Sequence, residues 1–269
     1  MDYQHLILER EGHILTCRMY NPPNQTLNTQ MLYELHDMLN AVEEDHDLRV
    51  LVVTGTDDVF LRWMELTEMQ SLAQGERQID IPSVVNANHT LARRIEALPV
   101  VTIAAINGNV GGGGCEFSLS FDFRLMKDSP TATFALPQSS FGLVPGGSGA
   151  WYALKYLGRA KALDILLHGE FLEPSTALEL GLISRLYSEA EFDAEVKAFA
   201  EKFAARAPLA MRGIKHLVNA GSNQDQLNFM AEEAKEIMKI IVSEDAQHAL
   251  GMWINNPDPE AYKPEFKGK

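Results

Sequence analysis

Four consecutive glycines, Gly111 to Gly114, follow the apolar run P-V-V-T-I-A-A-I-N-G and lead into C-E-F. Glycine loses more backbone freedom on folding than any other residue, so a run of four needs a structural reason. An apolar strand, a turn without Cβ atoms and a short apolar helical segment together form a unit of an α/β core. In such a unit the main chain itself is approached closely, by a packed element or by a ligand. The run ends in an acid, Glu116. A phosphate loop requires G-x-x-x-x-G-K-[ST] and a dinucleotide fingerprint requires G-x-G-x-x-G. The stretch G-N-V-G-G-G-G-C-E (108–116) supplies neither in register, and Glu116 would repel a phosphate. Two uses stay open: close helix packing, and backbone N–H donors turned toward a ligand oxygen. A helix N-terminus behind such donors favours a developing enolate or tetrahedral oxyanion.

The rest of the chain narrows the classes. Its 269 residues can bury a substantial core, and 46% hydrophobic with 22% charged residues is ordinary for a globular protein. A formal net charge of -14 opposes nucleic acid and anionic membranes, so neither is expected as a partner. Two cysteines, Cys17 and Cys115, cannot build a disulfide framework. No apolar stretch reaches the ~18 residues of a spanning helix, and the N-terminal segment lacks the blocks of a signal peptide. A reduced, cytoplasmic protein is the expectation. No H-x-x-H, C-x-x-C or clustered acid spacing suggests a metal.

Periodicity predicts two strands in 5–19 around the Glu11-Gly12 turn, and then a connector, N-P-P-N-Q-T-L-N (21–28). Asn28 is placed to cap a helix with Met31, Leu32, Leu35, Met38, Leu39 and Val42 on one stripe. Strands are predicted at 49–56, 99–106, 123–126, 133–136 and 182–187, with helices at 84–97 and 115–121. From Gly149 the pattern is almost all helical: 149–157, 159–167, 174–180, 191–205, 208–219 and 224–250. The acidic clusters at 43–47 and 232–236 read as solvated helix faces.

The segment I-N-G-N-V-G-G-G-G-C-E-F-S-L-S-F-D-F-R-L (106–125) resembles the central signature of the crotonase, or enoyl-CoA hydratase/isomerase, superfamily. The likeness continues in P-Q-S-S-F-G-L-V-P-G-G-S-G (137–149), L-G-R-A-K-A-L-D-I-L-L-H-G-E (157–170) and A-L-E-L-G-L-I-S-R-L-Y (177–187), and upstream in 21–28 and 50–60. The resemblance implies an α/β fold: a spiral of ββα turns with two nearly perpendicular sheets. It implies a core over 1–200 and a C-terminal helical oligomerisation region over 201–269, in a homotrimer or a hexamer of paired trimers. It also implies an acyl-CoA substrate, with coenzyme A arriving as part of the thioester and no permanently bound cofactor. By position, the donors for the thioester oxygen are the N–H groups of Met64 and Gly113. The resemblance further assigns substrate or CoA contacts to Gln25, Leu27, Arg62, Trp63, Gly112 and Gly146, and to Lys263 and Lys267 near the 3′-phosphate.

Two departures from that pattern matter. Where the family reads F-x-A-G-x-D-L, this chain reads F-L-R-W-M-E-L (60–66), so a family glycine is replaced by Trp63. Trp63 then stacks on adenine or walls the acyl pocket while Arg62 meets a phosphate, or the loop has drifted and both are merely packed or solvated. A positive φ at this position would penalise tryptophan. The family hydratases also use two glutamates; this chain keeps Glu116 and has Gln138 for the second. An amide orients water but does not exchange a proton near neutral pH. Glu116 and Gln138 are therefore the candidate catalytic pair. Hydration of an enoyl-CoA is the first reading, single-carboxylate double-bond isomerisation the second, and a weakly catalytic CoA-binding paralogue with an assembly or regulatory role the third. His168 is expected at a surface or cap, His89 and His248 as structural or exposed, and Cys115 as a buried filler.

Overall fold

The computed structural model describes residues 3–76, 87–221, 224–256, 258 and 262–269. Its framework is a repeated unit in which one chain segment supplies a strand to each of two sheets before a helix returns it. Val50–Thr54 (β3), Val101–Ile106 (β5) and Phe123–Asp128 (β7) are each followed by a shorter strand: Val59–Leu61 (β4), Asn109–Gly111 (β6) and Phe134–Ala135 (β8). The long strands join Leu6–Glu11 (β1), Ile14–Met19 (β2) and Arg185–Ser188 (β10) in a six-stranded sheet ordered β1-β2-β3-β5-β7-β10. The short ones join Phe171–Leu172 (β9) in a second sheet ordered β4-β6-β8-β9. Both sheets are mixed: β1–β2 and β8–β9 are antiparallel and the remaining pairs parallel. The corner between β5 and β6 is tied by Asn107, whose Oδ1 accepts from Gly55 N (3.0 Å) and whose Nδ2 donates to Asp57 O (2.7 Å).

Burial explains why the long strands read as unbroken apolar runs. Leu51 and Val53 of β3 and Ala104 and Ile106 of β5 face the main core. Val50, Val52, Val101, Ile103 and Ala105 face the other way, against Phe192 and Ala200 of the helix Phe192–Ala204. On the first face lies helix α1, Thr29–Glu44, with Asn28 Oδ1 accepting from Met31 N (2.8 Å). Its predicted stripe, Met31 through Val42, is buried to the last side chain. Each such side chain stabilises the fold by about 1.5–3 kcal/mol relative to exposure.

Four further helices complete the core: Leu66–Ala73 (α2), Ala87–Ala97 (α3), Gly113–Leu119 (α4) and Gly149–His168 (α5). Pro174–Glu179 (α6) precedes β10, and Phe192–Ala204 is α7. The break expected in α5 is present, with Gly158 at φ 71° and ψ 168°. Helix α3 begins at Ala87, and positions 84–86 of its expected span lie outside the described residues. Strand β10 starts three residues later than expected, because the N–H groups of Leu182 and Ile183 are taken by Ala177 O as α6 closes. The single helix expected over 224–250 is two, Gln226–Ile241 (α9) and Glu244–Asn255 (α10). Ser243 divides them: its side chain accepts from Ala246 N and starts a new helix. The strands β4, β6 and β9 and helix α2 were not foreseen; two or three residues of strand carry no readable period.

Helix α8, Pro208–Gly221, is fixed to the core by Lys215, whose Nζ donates to Asp122 Oδ2 (2.8 Å) and Val100 O (3.0 Å). The chain end folds back under these helices. Buried Asp245 accepts from Lys267 N and Gly268 N (2.7 Å each), and Arg49 Nη2 donates to Phe266 O (2.6 Å). Of the acidic clusters, Asp45 and Asp47 are paired with Arg10, and Glu43 with Arg94, rather than merely solvated.

Candidate active site

The glycine run serves close packing, the first of the two uses left open, and leaves one N–H without a protein acceptor among the described residues. Gly112 caps α4 at φ 54° and ψ −122°, a conformation that side-chain-bearing residues avoid. Gly114 lies so close to β4 that a Cβ would fall 2.0 Å from Leu61 O, and its N–H donates to Arg62 O (2.9 Å). Gly113, between them, is the first residue of the helix, so its N–H has no intrahelical acceptor.

The second N–H comes from the extension of β4. Leu27 and Met64 form a parallel bridge: Leu27 N donates to Trp63 O (3.1 Å) and Leu27 O accepts from Glu65 N (2.9 Å). In that pattern the N–H of Met64 points away from residue 27. It points toward α4, where the Cβ position of Gly113 lies 3.6 Å from Met64 N. Among the described residues neither the Met64 nor the Gly113 N–H has a protein acceptor. Trp63 is not among the residues at positive φ, so its side chain carries no backbone penalty. It fits because Gly112 leaves space: a Cβ there would stand 3.1 Å from Trp63 Cβ.

Glu116, on the first turn of α4, is 3% exposed. Its Oε2 accepts from Gly147 N (2.6 Å) and Gly149 N (2.8 Å), and its Oε1 from Gln138 Nε2 (2.9 Å). Burial pushes the Glu116 carboxyl above its ordinary range; the N–H groups of Gly149, Gly147 and Gly146 and the Gln138 amide offset this only in part. A carboxylate only accepts, so Gln138 turns its NH₂ toward Glu116. The buried Gln138 Oε1 is left without a donor among the described residues.

These groups border a cavity of about 170 Å³. Leu27, Leu66, Met69, Leu91, Phe117 and Leu143 make most of it apolar, and Met64, Gly113, Glu116, Gln138 and Asn88 supply the polar points. Trp63, Gly112 and Gly146 also line it. At its rim Phe141 and Val144 are 63% and 82% exposed. A small apolar cavity with a few convergent polar groups suits one ligand segment held in one orientation.

The other expected contacts fall elsewhere. Gln25 is buried beside the site; its side chain bonds Asn21 N, Met19 O and Thr56 Oγ1, and its carbonyl is taken by Arg62 N. It is a strut for the 60–66 loop, with its polar groups already used. Arg62 stands over the Trp63 ring at 5.9 Å from the centroid and does not line the cavity. Trp63 is thus a wall of the pocket. Lys263 and Lys267 are exposed on the chain end, away from the cavity lining. Their segment is not frayed: its backbone is held by Asp245 and Arg49.

Burial pushes the Cys115 thiol well above its ordinary value, which fits a filler and not a nucleophile. His168 is exposed at the end of α5 and pairs with Asp164 (3.0 Å), and His248 is exposed on α10. Among the described residues no group of three or more His, Cys, Asp or Glu side chains is placed to hold a metal. Asn88 was missed, although a signal existed. With Leu91, Ala92 and Ile95 it completes the i, i+3, i+4, i+7 stripe of α3, so it is a polar residue on the buried face.

Residues 9–269 match the model of the family described as enoyl-CoA hydratase/isomerase. A probable enoyl-CoA hydratase of Bacillus subtilis (strain 168) is 31% identical over 257 residues, spanning 95% of this chain and 96% of that protein. A short-chain-enoyl-CoA hydratase of Clostridium acetobutylicum is 27% identical over 266 residues, spanning 98% and 99%. The crystal structure of an enoyl-CoA hydratase from Polaromonas sp. JS666 superposes with a TM-score of 0.86 at 25% identity, covering 97% of this chain and 99% of that one.

Proposed function

This chain belongs to the enoyl-CoA hydratase/isomerase family, and on that premise we propose that it hydrates a 2-enoyl-CoA thioester, or runs the reverse elimination, through an enolate. The observation that carries the reading is the pairing of two acceptor-free N–H groups, at Met64 and Gly113, with the buried carboxylate of Glu116 in one apolar cavity. The thioester oxygen takes both hydrogens, and the charge that develops on it as the enolate forms is stabilised most where water is excluded. Glu116 accepts a proton from water as its oxygen adds to C3, then returns a proton to C2. Gln138, whose Nε2 donates to Glu116 Oε1, holds that carboxylate in place for the transfer. With one carboxyl doing both transfers, turnover is slower than two acids would allow.

The runner-up, double-bond isomerisation, has less support: in the family's isomerases the acid commonly stands where this chain has Gln138. Coenzyme A enters as part of the substrate and no resident cofactor is required. The chain divides functionally into a core over 1–200 and an assembly region over 201–269, in which exposed Val218, Leu227, Met238, Val242 and Ile254 support a trimer or a hexamer of paired trimers. Two unpaired thiols fit a reducing cytoplasm, and the acyl-CoA substrate class implies a role in acyl-chain metabolism.

The test is a panel of enoyl-CoA thioesters in deuterated water. Hydration of crotonyl-CoA, or deuterium entering C2, should be seen with the wild type and should drop by about 10²–10⁴-fold in Glu116→Gln. Thioester binding without turnover or exchange on any panel member would leave the CoA-binding paralogue as the better reading.

A further inference from the structure

Two stretches of chain run side by side along the edge of the site, joined rung by rung. Arg62 N donates to Gln25 O (2.9 Å), Leu27 N to Trp63 O (3.1 Å), Glu65 N to Leu27 O (2.9 Å) and Thr26 Oγ1 to Glu65 Oε2 (2.8 Å). Backbone pairing stops there because α2 begins at Leu66. One further rung is made by a side chain. Glu68, on the first turn of α2, accepts at Oε2 from Thr29 N (2.7 Å) and from Thr29 Oγ1 (2.6 Å).

That rung joins two helices of unequal footing. Helix α1 is anchored by its buried apolar stripe, and Thr29 itself is 3% exposed. Its first N–H groups have no intrahelical acceptors, and no acid stands in its own first turn. Asn28 takes the N–H of Met31 and Glu68 takes that of Thr29, at the helix end where a carboxylate is favoured. Helix α2 has no such anchor, since Leu66 through Ser71 are exposed or only partly buried. A helix of 8 residues does not hold itself in water, so its ties to other elements decide where it lies. Yet α2 follows directly on Met64 and Glu65, and its Leu66 and Met69 wall the cavity. Any shift of α2 is passed to the Met64 N–H and to that wall together.

We infer that Glu68 is a positioning residue: its grip on Thr29 fixes α2 against the N-terminus of α1 and so aims the Met64 N–H at the thioester oxygen. The inference rests on the acyl-CoA reading above. Glu68 does not line the cavity, so its loss misplaces a donor and removes no contact with substrate. A displacement of about 1 Å in such a group costs up to about a hundredfold in rate.

The two ends of the rung can be cut separately. Thr29 is the first residue of α1, a position that tolerates proline, and Asn28 before it is already extended (φ −98°, ψ 170°). Thr29→Pro therefore removes both hydrogens that Glu68 accepts while leaving α1 intact, and Glu68→Ala removes the acceptor. Each should lower kcat/KM for crotonyl-CoA by about ten- to a hundredfold, chiefly in kcat, with little change in melting temperature. The double variant should fall no further than either single one, and Glu68→Gln, which keeps an acceptor, should recover part of the loss. A readout without turnover is the infrared carbonyl stretch of bound butyryl-CoA, isotopically labelled at the carbonyl carbon. The wild type should lower that frequency, and Thr29→Pro and Glu68→Ala should return it toward the value of free thioester. Wild-type rates in Thr29→Pro, additive losses, or a carbonyl shift that survives both cuts overturn the inference and leave the acyl-CoA reading standing. Failure of the wild type to bind a thioester or to shift its carbonyl removes both.

Discussion

Glu116 is caught between desolvation, which favours its neutral form, and donors that favour the carboxylate. Desolvation is the larger effect, so the carboxyl is raised above its ordinary value of 4.5. A base of that kind is lost as pH falls through the raised value. The pH–rate profile of kcat/KM on crotonyl-CoA should therefore drop on acidification with a midpoint above 4.5. Stability moves in the other sense. The unfolded carboxyl ionises first, so the native state loses stability as pH climbs from 4.5 through the raised value. Glu116→Gln removes that cost and should melt at a higher temperature than the wild type at neutral pH, the gap closing below the ordinary carboxyl range. Gln138 is the other residue whose chemistry can be read by replacement. Gln138→Glu would set two carboxyls about one hydrogen bond apart, where they share a proton and one becomes an acid. Hydration should then speed up by roughly tenfold or more. An unchanged or lower kcat would show that the amide donor to Glu116, and not a missing acid, is what this position needs.

Among the elements, α4 and α5 meet end to end at the site, and glycine at the start of each lets them do so. Gly149 opens α5 directly against Glu116: a Cβ there would come 2.7 Å from Glu116 Cγ. In an ordinary helix Gly→Ala stabilises by about 1 kcal/mol. Here Gly149→Ala should instead destabilise by about 1–3 kcal/mol in denaturant titration, because the carboxylate has no room to yield. It should also cut kcat by about a hundredfold with little change in KM, since a small displacement of the proposed base would misalign the proton transfer while the proposed oxyanion donors stay in place. A stabilised and active variant would mean that the 147–149 turn moves freely and does not hold Glu116.

At the scale of the molecule, helices α8–α10 and the chain end leave an apolar surface that a monomer would expose to water. Val242→Asp should lower the mass seen by sedimentation equilibrium, whereas a wild type already running at 29.9 kDa would refute the assembly proposal. Much of this architecture was legible beforehand. The stripe of α1, the Asn28 cap, the Gly158 break and the glycine-run helix each rest on interactions within a few residues, where spacing and backbone preference are direct signals. The sequence by itself also determined the chemical inventory: one carboxyl at 116, an amide at 138, and no lysine where a phosphate would need one. Tertiary structure alone decided how these act. The free hydrogen of Met64 follows from a bridge to Leu27, and the grip on Glu116 comes from N–H groups 31 and 33 residues away. The raised carboxyl exists only once packing has removed water from around it. Residue types and local periods are written along the chain, but desolvation and the direction of a hydrogen bond belong to segments that meet only when it folds.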